Sequence, residues 1–237
     1  MKEKIYENYS SSFGKNKKLR FNELNKREPY LKYLIKQYFA NDKNSSVLDI
    51  ACGYGALSLF SQKKGYNNII GIDLSKEEIE IGREMGIKNL IHGDVFEYLL
   101  NSKNKFDLIV CQDFIEHLNH EQLTSIFSLI KDSLKDKGFI LLHTINSDSP
   151  FFGKILYGDI THERAFNRAS ISQILNLYNF KIIKITEEKI VIHGIKSMLR
   201  NILWKLIRLI YSFFNIIETG SSQGIYTQNF LIYAKKN

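Results

Sequence analysis

The chain of 237 residues has two cysteines, two prolines and one tryptophan. Cys52 and Cys111 are too few for a disulfide framework, and no metal-ligand spacing surrounds them, so a reducing compartment and no bound metal are expected. With proline confined to Pro29 and Pro150, there is no Pro-rich linker. No uncharged apolar run is long enough to cross a bilayer. The N-terminus, Met1-Lys2-Glu3-Lys4-Ile5, lacks the apolar core of a signal peptide. Neither an internal repeat nor a low-complexity segment is visible. These absences argue against a secreted disulfide scaffold, a membrane-spanning protein and a solenoid. They leave a cytoplasmic chain of a length suited to one large α/β domain over residues 1–237.

Positive charge is in excess. Thirty-three Lys and Arg stand against 25 Asp and Glu, a formal charge of +8. A basic surface suits an anionic partner such as a phosphorylated metabolite, nucleic acid or anionic lipid, and a solvated lysine excess explains it equally well.

The chain is organised around Val47-Leu48-Asp49-Ile50-Ala51-Cys52-Gly53-Tyr54-Gly55-Ala56-Leu57-Ser58. Val47, Leu48 and Ile50 form the short apolar run of a strand buried on both faces. Small residues at 51, 53 and 55 let a ligand approach the backbone, and glycine tolerates positive φ. Asp49 falls at the carboxyl end of the strand, where open α/β sheets bind ligands. A second buried strand, Ile69-Ile70-Gly71-Ile72-Asp73-Leu74-Ser75, also ends in an acid, which suits the two hydroxyls of a ribose. Gly93-Asp94-Val95 closes a third apolar segment, and Phe106-Asp107-Leu108-Ile109-Val110-Cys111-Gln112-Asp113 is a fourth.

Taken in order, these four motifs resemble the class I S-adenosylmethionine-dependent methyltransferases, from about residue 46 to the C-terminus. Ala51 stands where many members have a glycine. A nicotinamide-dependent Rossmann enzyme would need a third glycine where Ser58 stands. The resemblance implies S-adenosylmethionine as cofactor and S-adenosylhomocysteine as product. It implies Asp49 near the methionine part and close approach at Ala51, Gly53 and Gly55. It places Asp73 on the ribose, Leu74 and Val95 beside the adenine, and Asp94 on the adenine amino group. Gln112 and Asp113 would face the sulfonium. Helix capping is the competing account of Asp73 and Asp94.

The coarse pattern predicts a Rossmann-like, doubly wound sheet of seven strands, the last one antiparallel. Strands are expected at about 46–50, 69–73, 89–92, 106–111, 139–144, 180–191 and 225–235. Helices are expected at about 55–64, 76–84, 94–101, 119–134, 151–156 and 170–178, the last capped by Ser170. Residues 1–40 are expected to form an N-terminal helical cap whose helix runs from Arg20 to Phe39, with an apolar stripe from Leu24 to Phe39 and a break or a fresh start at Pro29. Tyr6, Tyr9 and Phe13 lie among lysines in the polar stretch 1–19, which reads either as a disordered tail or, as the resemblance implies, as a segment folded over the cofactor.

An insertion at 193–223 separates the last two strands. Ile195, Met198, Leu199, Ile202, Leu203, Leu206, Ile207, Ile210, Phe213, Phe214 and Ile217 recur at three–four spacing, with Lys196, Arg200, Lys205 and Arg208 mostly off the stripe. One amphipathic helix over 195–217 is predicted. It could wall the enzyme's own acceptor site, build a homodimer, or lie on a membrane with Trp204 at headgroup level.

The fourth-strand loop has no Asn/Asp-Pro-Pro-Tyr/Phe sequence, and no nucleic-acid module is evident. A small acceptor is expected. Thr144-Ile145-Asn146 followed by Gly158-Asp159-Ile160-Thr161-His162-Glu163-Arg164-Ala165-Phe166 is similar to a segment of small-molecule O-methyltransferases of ubiquinone and surface-glycan synthesis. That implies His162 as base, with His117 of the Glu-His pair lining the site. Arg164 or Arg168 would hold an anionic acceptor. His143, inside a strand, reads as a satisfied core histidine. The first-choice acceptor is a sugar, nucleotide-linked or phosphorylated intermediate of surface-polysaccharide assembly. A quinone precursor met at the membrane surface is the alternative, and a catalytically silent binding scaffold is a third reading.

Overall fold

The computed structural model describes residues 5–6, 9–14 and 17–237. Seven strands form one sheet: β1 (Val47–Ile50), β2 (Ile69–Asp73), β3 (Leu90–His92), β4 (Phe106–Gln112), β5 (Leu134–Ile145), β6 (Phe180–Glu187) and β7 (Asn229–Lys236). Their spatial order is β3-β2-β1-β4-β5-β7-β6. The first five are parallel, and β7 runs antiparallel between β5 and β6. The order reverses between β1 and β4, so a crevice opens at their carboxyl ends.

Alternation along each strand sends neighbouring side chains to opposite layers. Val47, Leu108, Val110, Leu141 and Leu231 pack with α2 (Lys17–Tyr38) and α3 (Ala56–Lys63). Leu48, Ile50, Ile109, Cys111, Leu142 and Ile232 pack on the other face with α5 (Val95–Leu100), α6 (His120–Ser133) and α8 (Arg168–Leu177). Further helices are α1 (Tyr9–Ser12), α4 (Lys76–Glu84), α7 (Phe152–Leu156) and α9 (Ile195–Thr219), with a 3-10 turn at Ile115–His117.

Several boundaries differ from expectation for local reasons. Pro29 lies inside one continuous α2. A mid-helix proline loses one backbone bond, but Leu24, Leu31, Leu34, Ile35 and Tyr38 bury the stripe on both sides of it. Strand β5 begins at Leu134 rather than near 139, because Lys137, at φ 65, makes an irregularity within the strand and does not end it. The cap of α8 is Asn167, which accepts from Ser170 N at 3.0 Å while Ser170 Oγ accepts from Asn167 N at 3.0 Å. Ser170 therefore completes a capping box rather than starting the helix. Strands β6 and β7 are shorter than expected. At the end of the β6–β7 ladder the Glu187 side chain accepts from Tyr226 N, and Asn146 Nδ2 donates to the carbonyls of Ile225 and Thr227, which hold 225–227 outside the strand.

The 195–217 helix forms as predicted and extends to Thr219. Its orientation is inverted. Ser197 is buried and Asn201, Trp204, Tyr211, Ser212 and Asn215 are half-buried against the body, whereas the Ile, Leu and Phe side chains point away. No helix among the described residues is long and apolar enough to cross a membrane.

Candidate active site

The loop after β1 is held in left-handed backbone, with φ 53 at Ala51, 55 at Gly53 and 81 at Gly55. Two different needs lie behind this run. Gly53 faces the crevice, where a Cβ would meet only Glu78 Oε2 at 3.7 Å. At Gly55 a Cβ would stand 2.7 Å from Leu90 Cδ2, inside the contact of α3 with β3. Gly55 thus serves packing and, unlike Ala51 and Gly53, does not line the crevice.

The crevice is a cavity of about 590 Å³. Asp49, Ala51 and Gly53 from the first strand end line it, as do Asp73 and Leu74 from the second. Asp94, Val95 and Phe96 come from the third, and Gln112, Asp113, Phe114 and His117 from the fourth. Tyr6 and Tyr9 contribute from the N-terminal segment, Arg20 and Arg27 from α2. Arg20 is already engaged with Glu78 in a buried ion pair and with Glu23 at 2.8 Å.

The acids differ in their commitments. Asp73 accepts from Gly53 N at 2.7 Å and Ser75 N at 2.8 Å, stapling the β1 loop to the tip of β2. One lone pair on each oxygen is left over. Asp94 caps α5, accepting from Phe96 N at 2.6 Å through Oδ1. Capping and cavity lining therefore coincide at Asp94. Burial lifts Asp49 to about 7, against the pull of Arg27 and with a push from Asp73. Burial likewise lifts Asp73 to about 6, against the N–H groups of Ser75 and Gly53. Both acids sit where a cation would restore their charge.

Behind Gln112 lies a second polar group. His143 Nδ1 donates to Asp113 Oδ1 at 2.7 Å, and His143 Nε2 lies 3.7 Å from Glu188 Oε2. Burial opposes charge on His143, but Asp113 and then Glu188 outweigh it and raise the imidazole well above its ordinary value. His143 is a partnered core histidine. Next to it, burial and then the charge of Asp113 push Glu116 up to about 8, and its Oε2 accepts from Thr144 Oγ1 at 2.9 Å.

The proposed histidines meet outside the strands. The rings of His117 and His162 are 4.6 Å apart. Thr161 Oγ1 donates to Asp159 Oδ1 at 2.6 Å, so at 2.9 Å from His117 Nδ1 it accepts. The proton therefore sits on Nδ1. Tyr9 closes the group, its hydroxyl donating to Asp159 Oδ2 at 2.9 Å. His162 Nδ1 donates to the carbonyls of Ile155 and Leu156 at 3.1 and 3.2 Å. His117 lines the cavity and His162 does not; it stands behind His117. His117, Asp159 and His162 each place a ligating atom within 4.8 Å of the others, a donor set able to hold a metal ion. The sequence suggested no such set because the loop carrying 159 and 162 is remote in the chain from 117.

Arg164 and Arg168 are not brought to the cavity. Arg164 Nη1 donates to His120 Nδ1 at 3.0 Å, and exposed Arg168 opens α8 and reaches the Ile185 carbonyl at 3.5 Å. The capping box that starts α8 fixes Arg168 on the outer side. Sequence reasoning missed Arg20 and Arg27, because α2 was read only for its apolar stripe. Phe96, Phe114 and Gln122 gave no signal beyond lying near strand ends.

A model of the methyltransferase domain family matches residues 24–185. The ubiquinone biosynthesis O-methyltransferase of Pelagibacter ubique is 36% identical over 110 residues, covering 44% of this chain and 43% of that protein. The cyclopropane-fatty-acyl-phospholipid synthase of Escherichia coli K12 is 29% identical over 101 residues, 43% of this chain and 26% of that protein. The chain thus spans less than half the length of either curated relative. Among solved structures, a SAM-dependent methyltransferase from Archaeoglobus fulgidus superposes with a TM-score of 0.66 at 24% identity, over 96% of this chain and 98% of its own.

Proposed function

The chain belongs to the class I S-adenosylmethionine-dependent methyltransferases, and from that premise we propose that it methylates an oxygen of a small hydroxylated aromatic acceptor. The observation that carries the proposal is one cavity holding carboxylates from three successive strand ends, Asp49, Asp73 and Asp94, together with His117. The residues fit the cofactor. Asp73 keeps lone pairs for ribose hydroxyls and Asp94 keeps a carboxylate oxygen for the adenine amino group. Leu74, Val95 and Phe96 offer apolar contact to the base. Asp49 and Arg27 match the ammonium and carboxylate of the methionine part.

S-adenosylmethionine, when bound, supplies a methyl group on a sulfonium that departs as neutral sulfide. The protein's tasks are to aim the acceptor oxygen and to take its proton. His117 takes that proton on Nε2, its Nδ1–H held by Thr161 and Asp159. His162, the base expected from sequence, has the positioning role behind it.

Three features favour a phenolic acceptor over a sugar. Tyr6, Tyr9 and Phe114 give the mouth an aromatic wall. A phenol with pKa ~10 is within reach of an imidazole of pKa ~6.5, whereas an alkyl hydroxyl lies nearer the ~15.7 of water. Arg164 and Arg168, the residues suggested for a phosphorylated acceptor, face elsewhere. The Pelagibacter ubique relative, named for ubiquinone biosynthesis, accords with this choice.

An acceptor panel of catechols, hydroxybenzoates and glycosides, read by S-adenosylhomocysteine release, tests the reading. Phenols are expected to turn over, and glycoside turnover without phenol turnover would overturn the acceptor assignment. His117→Gln is expected to lower kcat by about 10²–10⁴ with cofactor affinity kept within a few fold. Failure to bind S-adenosylhomocysteine at millimolar concentration would instead favour a silent scaffold.

A further inference from the structure

Helix α9 packs with the wrong side inward for a water-soluble surface. Its body-facing side is polar: Ser212 Oγ donates to the Ser222 carbonyl at 3.1 Å, and Asn215 Nδ2 donates to the Ser221 carbonyl at 2.7 Å. Arg208 Nε reaches Glu187 at 3.1 Å. Trp204 belongs to this inner side, lining a cavity of about 410 Å³ with Tyr30 and Phe151 rather than standing at the outer surface. The opposite side carries Ile195, Leu199, Leu206, Ile210, Phe213 and Ile217, every one more than half exposed. At 100° per residue these form the centre of an arc that exposed Met198, Leu203, Ile207 and Leu209 widen to roughly half the circumference, and 25 residues extend it about 37 Å. The body of the enzyme leaves this arc open.

From this inversion we infer that α9 is a docking surface for an anionic lipid bilayer, lying along the interface with its apolar arc in the acyl boundary. Charge selects the occupant. Lys196 projects at one margin of the arc and Lys205 at the other, where long cationic side chains reach headgroups, and exposed Arg200 stands beyond Lys196 at the lip of the Trp204 cavity. Glu218 is the sole acid between 195 and 219. A second copy on the same face would set these cationic margins against each other, with one acid per chain to offset three cations. An anionic surface meets both the arc and its margins. The inference holds whichever acceptor is methylated.

Flotation of the full chain with vesicles tests it, using phosphatidylcholine alone and phosphatidylcholine mixed with phosphatidylglycerol. The chain is expected to float with the mixed vesicles and far less with the neutral ones. Neutralising Lys196, Arg200 and Lys205 to Gln together is expected to weaken binding about a hundredfold, at about fivefold per basic side chain. Leu206→Glu with Phe213→Glu is expected to abolish flotation while S-adenosylhomocysteine binding is retained, which also reports that the fold is intact. Absence of flotation with either vesicle overturns the inference. A dimer in light scattering that this Glu pair dissociates, with no vesicle binding by the parent chain, assigns the face to a second copy instead.

Discussion

The crevice at the strand ends and the outer arc of α9 break the usual rule of burial in opposite senses. Asp49 is buried in the crevice, and Glu116 and His143 are buried behind it. On α9, Leu, Ile and Phe side chains stand in the open while serine and asparagine face the body. Burying a charge and exposing a long apolar face are both unfavourable without a partner. Each region therefore calls for something that covers it: a cationic small molecule in one case, the proposed bilayer in the other. The difference is in precision. The crevice presents hydrogen-bonding atoms at fixed places, whereas the helix presents area and a sign of charge.

If that contrast is right, the two regions can be disabled separately. The largest effect is expected from Asp73→Ala, which removes a charged acceptor worth about 1.5–3 kcal/mol. Calorimetry should show cofactor affinity down by roughly tenfold to more than a hundredfold, with vesicle flotation untouched. Loss of both properties in that variant would show the regions to be coupled.

A smaller effect separates them by pH. Asp49 titrates near 7 in the free protein because it is buried, and the cofactor's ammonium favours its ionised form. Below pH 7 a proton must leave before the pair forms, so affinity rises with pH, by about tenfold between pH 6 and pH 8. Asp49→Asn is expected to flatten that profile. The proposed vesicle binding involves no carboxylate of the crevice and should show no such inflection. A matching inflection in flotation would blur the contrast.

The smallest effect sharpens the account of the loop itself. Ala51 holds φ 53, which costs an L-residue about 1–2 kcal/mol, partly offset by the greater unfolded-state freedom of a glycine. Ala51→Gly is expected to raise the unfolding midpoint by ~2 °C. A lower midpoint would mean that the alanine methyl packs usefully against the core.

Much of the scaffold was legible because its signals are local. The runs 47–50, 69–73 and 106–112 are short, apolar and followed by small or acidic residues. That pattern placed β1, β2 and β4 within a residue and put Asp49, Asp73 and Asp94 on one edge. What escaped was convergence. Arg27 enters the crevice because α2 crosses the strand ends, and no periodicity within α2 reports that. His117 meets Asp159 and His162 only after β5 returns the chain to the fourth-strand loop. Gly55 looked like a ligand glycine, since a close approach to Leu90 and one to a cofactor leave the same mark in a sequence. For α9, spacing defined the helix and its stripe, but the direction of the stripe depended on partners such as Glu187 and the 221–223 segment.

The polar seam under α9 also governs how the protein behaves at the bench. Serine and asparagine bonds hold the helix in place while its greasy side stays wet, so in plain buffer the particles should stick to one another as concentration climbs. Added salt should worsen this by muting the repulsion between basic margins. A mild detergent above its micelle threshold should return a clear, uniform solution by coating the arc.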